Sequence, residues 1–233
     1  MDRVFISAGL GELLHYERST ERPITLTKLL PMEITISARE LIKTIIEEGQ
    51  NLTNFRDRVE EARSELGQEA KNDDVKSRMS AQVALFSQNC GHGMIKSIRN
   101  GRMSRDARIG FLKSLSEMMI QQSLNIDVAR IGREAAWARI TARLFFVKLW
   151  YRKYWLQFGG LEQADPKMIA RDERDSVYVV TGSYFDDFLT NDQRAKECSA
   201  DLRLAVDPKS DKMLMCAFNA FKKSSGFDPN ATA

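Results

Sequence analysis

Apolar residues return every three or four positions along most of the chain, the period of a helix buried on one side. Ser37-Ala-Arg-Glu40 reads as a capping box, and Leu41, Ile42, Ile45 and Ile46 follow it before Gly49 stops the helix. Charged helices are predicted over about 53–70 and about 75–89. A short helical piece over 94–99 meets Asn100-Gly101, a strong turn signal, and Ser104 is placed to cap a helix reaching about Ser123. The longest pattern runs from about 126 to 158 and ends at Gly159-Gly160. At 100° per residue it carries two apolar stripes, one with Val128, Ile131 and Phe146, the other with Trp137, Ile140 and Leu144. A helix apolar on two sides is expected between layers, at the centre of the molecule.

The last third reads differently. Asp165-Pro166 is a cap followed by a good first helical residue. Val177-Tyr-Val-Val-Thr181 is the most β-like run, and helices fit 191–206 and 208–223. Residues 1–36 lack a clear helical period and read as an arm or a short β or loop segment. In it, Val4, Phe5 and Ile6 form an apolar run suited to contact with a second copy. The expected fold is mainly α: a two-lobed helical domain around the long central helix. Residues 37–160 form the first lobe, 161–224 the second and 225–233 a flexible tail.

The composition fits a globular chain. Its 233 residues are 43% hydrophobic and 29% charged, enough for a core without staples. No apolar run reaches eighteen residues, so no membrane span is expected. The acid at position 2 and the short apolar run after it do not make a secretory signal. Cys90, Cys198 and Cys216 are scattered and odd in number, which suggests thiols in a reducing compartment, the cytoplasm or a virion interior.

Charge changes the picture more. The net charge is only +3, yet residues 92–155 hold thirteen lysines and arginines against four acids. The basic middle is therefore flanked by acidic ends. Arg99, Arg102, Arg105 and Arg108 recur at every third position, and Lys113 follows them. Arg130, Arg133, Arg139, Arg143, Lys148, Arg152 and Lys153 run through the long central pattern. Arginine presents a planar fork that suits phosphate and stacks on bases. Arg105 and Arg108 fall in the first turn of a helix, where amides already lack partners and the dipole is positive, so an anion would satisfy both. Tyr151 and Tyr154, beside Lys148, Arg152 and Lys153, are candidate stacking platforms for unpaired bases. The competing reading is an internal salt-bridge network with Glu60, Glu61, Glu65, Asp73 and Asp74, and tryptophans that serve the core.

Catalytic patterns are thin. Cys90-Gly-His92 offers two metal donors, but His15 is the only other histidine and no Cys-x-x-Cys pair exists, so four zinc ligands do not assemble. No phosphate-binding glycine loop and no nucleophile triad is apparent. Tyr184-Phe-Asp-Asp187 resembles the Tyr-x-Asp-Asp box of reverse transcriptases, whose carboxylates hold metal ions, and would allow a metal-dependent nuclease. The palm domain that surrounds that box is missing here, and a helix start capped by Ser183 explains the same four residues.

These features predict a sequence-tolerant RNA-binding structural protein, not an enzyme and without a cofactor. It would bind single-stranded RNA or another polyanion and self-associate. The helical plan, basic centre and terminal arm are similar in a general way to viral nucleocapsid and coat proteins. The alternative is a regulatory or scaffold protein whose basic centre binds an acidic protein or an anionic membrane surface.

Overall fold

The computed structural model describes residues 93–124, 127–157, 166–184 and 190–225, together with Glu17, Ser77 and Cys90. The expected arm with Val4, Phe5 and Ile6, the capping box at Ser37, the acids Glu60, Glu61, Glu65, Asp73 and Asp74, and the tail lie outside the described residues. Helix α1 spans 93–99, α2 Arg105–Leu124, α3 Val128–Ile131, α4 Arg133–Trp137, α5 Ile140–Gln157, α6 Pro166–Gly182, α7 Gln193–Val206 and α8 Asp211–Ser225. The fold is mainly α, as expected, and no described residue lies in a strand.

Helix α5 is the hub, packed on α2, α6 and α7, while α8 runs along α2. Its apolar residues face several ways, and Ile140, Phe146, Val147, Leu149 and Trp150 are all buried. Trp137 meets Phe146 edge-on at 6.0 Å, and Trp150 stacks on Tyr154 at 6.0 Å. Such aromatic pairs add about 0.5–1.5 kcal/mol beyond the area they bury. One hydrophobic cluster joins Ile109 and Trp150 to Val180, Leu202, Leu214 and Phe218, so packing is continuous across the lobe boundary expected at 160. Gly110 lets α8 approach α2 closely: a Cβ there would collide with the Leu214 carbonyl and lie 3.0 Å from Phe218 Cβ.

The pattern read as one helix over 126–158 is three helices. Asp127 caps α3, its Oδ1 accepting from the Ala129 and Arg130 amides at 2.9 and 3.3 Å. Gly132 then adopts φ 84°, a conformation costly for any residue with a Cβ, and breaks the ladder. After α4 the chain restarts at Ile140, where the carboxylate of Glu17 accepts the amides of Ile140 and Thr141 at 2.7 and 3.0 Å and the Thr141 hydroxyl at 2.7 Å. A residue more than a hundred positions away thus caps the central helix. A periodicity window cannot see such a cap.

Val177–Thr181 is also corrected, from strand to the last turns of α6. Buried positions in α6 are Ile169, Asp172, Ser176, Val179 and Val180, a helical spacing. Packing of that face overrides the β preference of the valines, and the hydroxyl of Thr181 donates back to the Val177 carbonyl at 2.9 Å. Ser183 likewise bonds backward, its hydroxyl donating to the Val180 carbonyl at 2.5 Å. The residues after Tyr184 in the Tyr-Phe-Asp-Asp stretch lie outside the described ones. Helix α8 opens at Asp211 rather than 208, because the Asp207 carboxylate holds a turn through the Lys209 amide and the Ser210 hydroxyl.

Candidate nucleic-acid interface

The turn between α1 and α2 explains why arginines recur there at every third position. Met94, Ile98, Met103 and Ala107 face the core. The intervening Arg99, Arg102 and Arg105 are left outside. Backbone bonds close the end of α1: Asn100 N to Lys96 O at 3.0 Å, Gly101 N to Ile98 O at 3.2 Å and Arg102 N to Ser97 O at 3.1 Å. Gly101 supplies the positive φ of 63° this closure requires. Ser104 then caps α2, accepting from the Ala107 amide at 3.3 Å. The turn is fixed at both ends and by Met103 beneath it. Its cations are displayed on a rigid frame.

Those cations differ in how free they are. Arg99 and Arg102 are exposed, and their side chains make no hydrogen bond or ion pair among the described residues. Arg105 donates to Asp201 at 2.7 Å, yet its side chain stays 53% exposed. Arg108 lies 3.9 Å from the same carboxylate, and its Nε has no hydrogen-bond partner among the described residues. Asp201 is buried and also accepts from the Trp150 indole at 2.8 Å. One buried acid therefore steers two arginines without covering them. Lys96 joins the exposed set, and Asp106 is the acid of this stretch.

The rest of the basic middle is mostly inside. Lys113 is fully buried, 3.0 Å from Asp211 and 4.9 Å above the Trp137 ring. Arg133 bridges Asp211 at 2.8 Å and Glu117 at 3.4 Å, while Arg130 is exposed. Arg139 is buried. Arg143 donates to the carbonyls of Trp137 and Ser183 and sits 3.8 Å over the Tyr184 ring. Burial lowers its pKa, against the fields of Tyr184 and Glu17.

Lys148 pairs with Glu173. Even so, burial, with Arg152 one turn on, pulls its ammonium down to about 7. Arg152 is buried too, which draws its guanidinium down to about 10. Lys153 lies over the Trp150 ring at 4.4 Å, and burial followed by the Arg108 charge takes it down to about 8. A strand on the surface does not reach Lys113, Arg139, Arg143, Arg152 or Lys153. Internal contacts account for part of this set: Lys113 pairs with Asp211 and Arg143 with the Trp137 and Ser183 carbonyls, while Glu117 and Glu173 pair with Arg133 and Lys148.

The stacking candidates fare similarly. Tyr151 is 2% exposed. Tyr154 is sandwiched between Trp150 and the Arg194 guanidinium, 5.5 Å above its ring. Among the described residues, the aromatic that does face solvent is Tyr178, 64% exposed, with exposed Arg174 one turn earlier. The strand reading concealed it. A helical wheel of α6 would have found it.

A groove of about 410 Å³ opens between α2 and α3–α4, lined by Glu117, Met118, Val128 and Arg133. Its charged groups are already paired, and the nearby Ser114 hydroxyl contacts Met215 rather than a base. Cys90 is buried, and burial raises its thiol to about 12, far from a thiolate nucleophile. Among the described residues no cluster of histidine, cysteine and carboxylate side chains has the geometry of a metal site, and no helix is long and apolar enough to cross a membrane. No protein-family model matches this chain, and no curated protein or solved structure does either.

Proposed function

We propose that this chain is a sequence-tolerant RNA-binding structural protein that holds phosphates on the arginine turn between α1 and α2. The observation that carries the reading is the exposure of Arg99 and Arg102 on a rigid turn, with no acid of the described residues paired to either. Guanidinium groups paired to no acid of the described residues, close to a helix N-terminus, favour an anion. Arg105, 53% exposed beside Asp201, extends the same row. Base stacking, if it contributes, falls to Tyr178 rather than to Tyr151 and Tyr154.

The test is the salt dependence of binding to labelled single-stranded RNA of unrelated sequences. Each phosphate neutralised on a single strand contributes about 0.7 to the log–log slope, so the double variant R99A/R102A flattens it by about 1.4. The loss is the same for every sequence, because phosphate contacts position a strand without reading it. An unchanged slope overturns the reading. Binding of an acidic protein or anionic vesicles, with no RNA binding by the wild-type chain, would favour the scaffold alternative.

A further inference from the structure

Asp201 holds the arginine turn by one edge of one guanidinium. Arg105, the first residue of α2, donates from Nε to Oδ1 of Asp201 on α7 at 2.7 Å. Nη1 and Nη2 of Arg105 make no hydrogen bond among the described residues, and the side chain is 53% exposed. The Asp201 side chain lies deeper, only 3% exposed. Its other oxygen, Oδ2, accepts from the indole of Trp150 on α5 at 2.8 Å. Trp150 is itself 1% exposed and stacks on Tyr154, so the carboxylate is pinned by a ring with no room to swing away. Three helices, α2, α5 and α7, thus fix one guanidinium by its inner edge.

That tether sets Arg105 apart from its neighbours in the row. The Arg99 and Arg102 side chains pair with no described residue, so a strand that binds them must also order them, at roughly two- to tenfold in affinity for each. Arg105 is ordered before anything binds. The free end of its guanidinium, Nη1 and Nη2, is a planar fork that matches two oxygens of a phosphate. Arg108 lies one turn on, its Nη2 3.9 Å from Oδ2 of Asp201. Two guanidinium groups against one carboxylate leave a positive balance, so the group still favours an anion. Both oxygens of Asp201 are already engaged, one by Arg105 and one by Trp150.

Resting on the RNA reading above, we propose that Asp201 is a positioning residue for that site: it holds Arg105 so that Nη1 and Nη2 form a rigid fork for one phosphate of the strand. An acid beside a phosphate site would by its charge alone repel the strand, and removing it would tighten binding. As a tether the same acid strengthens binding, because the ordering of one long side chain is completed when the chain folds.

Nitrogen-15 relaxation of the arginine Nε–H groups in the full chain reads the tether without RNA. The Arg105 resonance, identified by its loss in Arg105→Lys, should be as ordered as the backbone of α2, with Arg99 and Arg102 far more mobile. An Arg105 as mobile as those two overturns the proposal. Binding of labelled single-stranded RNA reads the consequence. R105K keeps the charge and gives up the fork, because its one head group must serve Asp201 and phosphate together. Its affinity should fall about tenfold with the salt slope unchanged, and wild-type affinity in R105K overturns the proposal. Asp201→Asn, with folding checked by melting, should weaken binding by roughly two- to tenfold more in the wild-type background than in R105K, since its effect through charge is common to both and the tether serves only arginine. An equal factor in both backgrounds means that Asp201 acts through charge alone, which overturns the proposal and leaves the RNA reading standing. A wild-type chain that binds no RNA overturns both. The relaxation and R105K arms decide the proposal even if D201N unfolds.

Discussion

The arginine turn and the basic face of α5 look alike as strings of residues and end in opposite environments. In the turn, cations alternate with Met94, Ile98 and Met103, so one side goes to the core and the cations go to water. In α5, apolar residues occupy nearly every direction around the helix. Arg143, Arg152 and Lys153 therefore have no solvent side to turn to and are buried, Arg143 against two carbonyls and the Tyr184 ring and Lys153 over the Trp150 ring. Charge density along a chain says how many partners are needed. Whether the partners are phosphates or the chain's own acids depends on how much apolar surface surrounds each cation.

The most severe way to test that contrast is to remove the acid that links the two regions. Asp201 receives Arg105, Arg108 and the Trp150 indole, and Lys153 feels its field. Asp201→Ala leaves the buried indole and its cationic neighbours without a partner and should cost about 3–5 kcal/mol, seen as a melting temperature lower by about 10 °C. A mild loss would mean the arginines simply turn out to solvent, and the buried side of the comparison would weaken.

Gly110→Ala tests the close contact of α2 and α8 that encloses Lys113 and Asp211. A methyl group against the Leu214 carbonyl forces the helices apart, at about 1–3 kcal/mol, measurable by urea denaturation.

The pH response separates the regions without touching the backbone. Lys153 sits near 8 in the fold against about 10.4 when unfolded, so between those values the unfolded chain binds more protons and stability rises with pH. Lys148, near 7, acts in the same direction over a wider window. Lys153→Met should reduce the rise in melting temperature between pH 8 and pH 10. An equal rise in both proteins would mean Lys153 is hydrated after all.

Smallest on stability is the change at the turn itself. R99A/R102A removes exposed side chains that touch no acid of the described residues, so the melting temperature should move by no more than about 1–2 °C while the salt slope of RNA binding flattens. Tyr178→Ala should weaken binding of single strands by about 1–3 kcal/mol with the slope unchanged, because stacking releases no counterions. A destabilised R99A/R102A would erase the distinction between displayed and internal arginines.

The helical class, the Asn100-Gly101 turn, the Ser104 cap and the centrality of α5 were legible because each depends on neighbours a few residues apart. Two readings failed for one reason. The break at Gly132 looked like a tolerable glycine in a long period, and the cap that restarts the helix comes from Glu17, distant in sequence. The valines of α6 looked like a strand because β-branched residues dominate a five-residue window, while the helical spacing of the buried face shows only over the whole of α6. The site divides the same way. Local pattern was enough to say that arginines would cluster and that the chain would turn sharply between α1 and α2. Which of those arginines pair with an acid of the described residues was decided only by packing, because it depends on Asp201 arriving from α7. Pairing between distant charges follows from how the helices meet in space, and local period and composition carry no information about it.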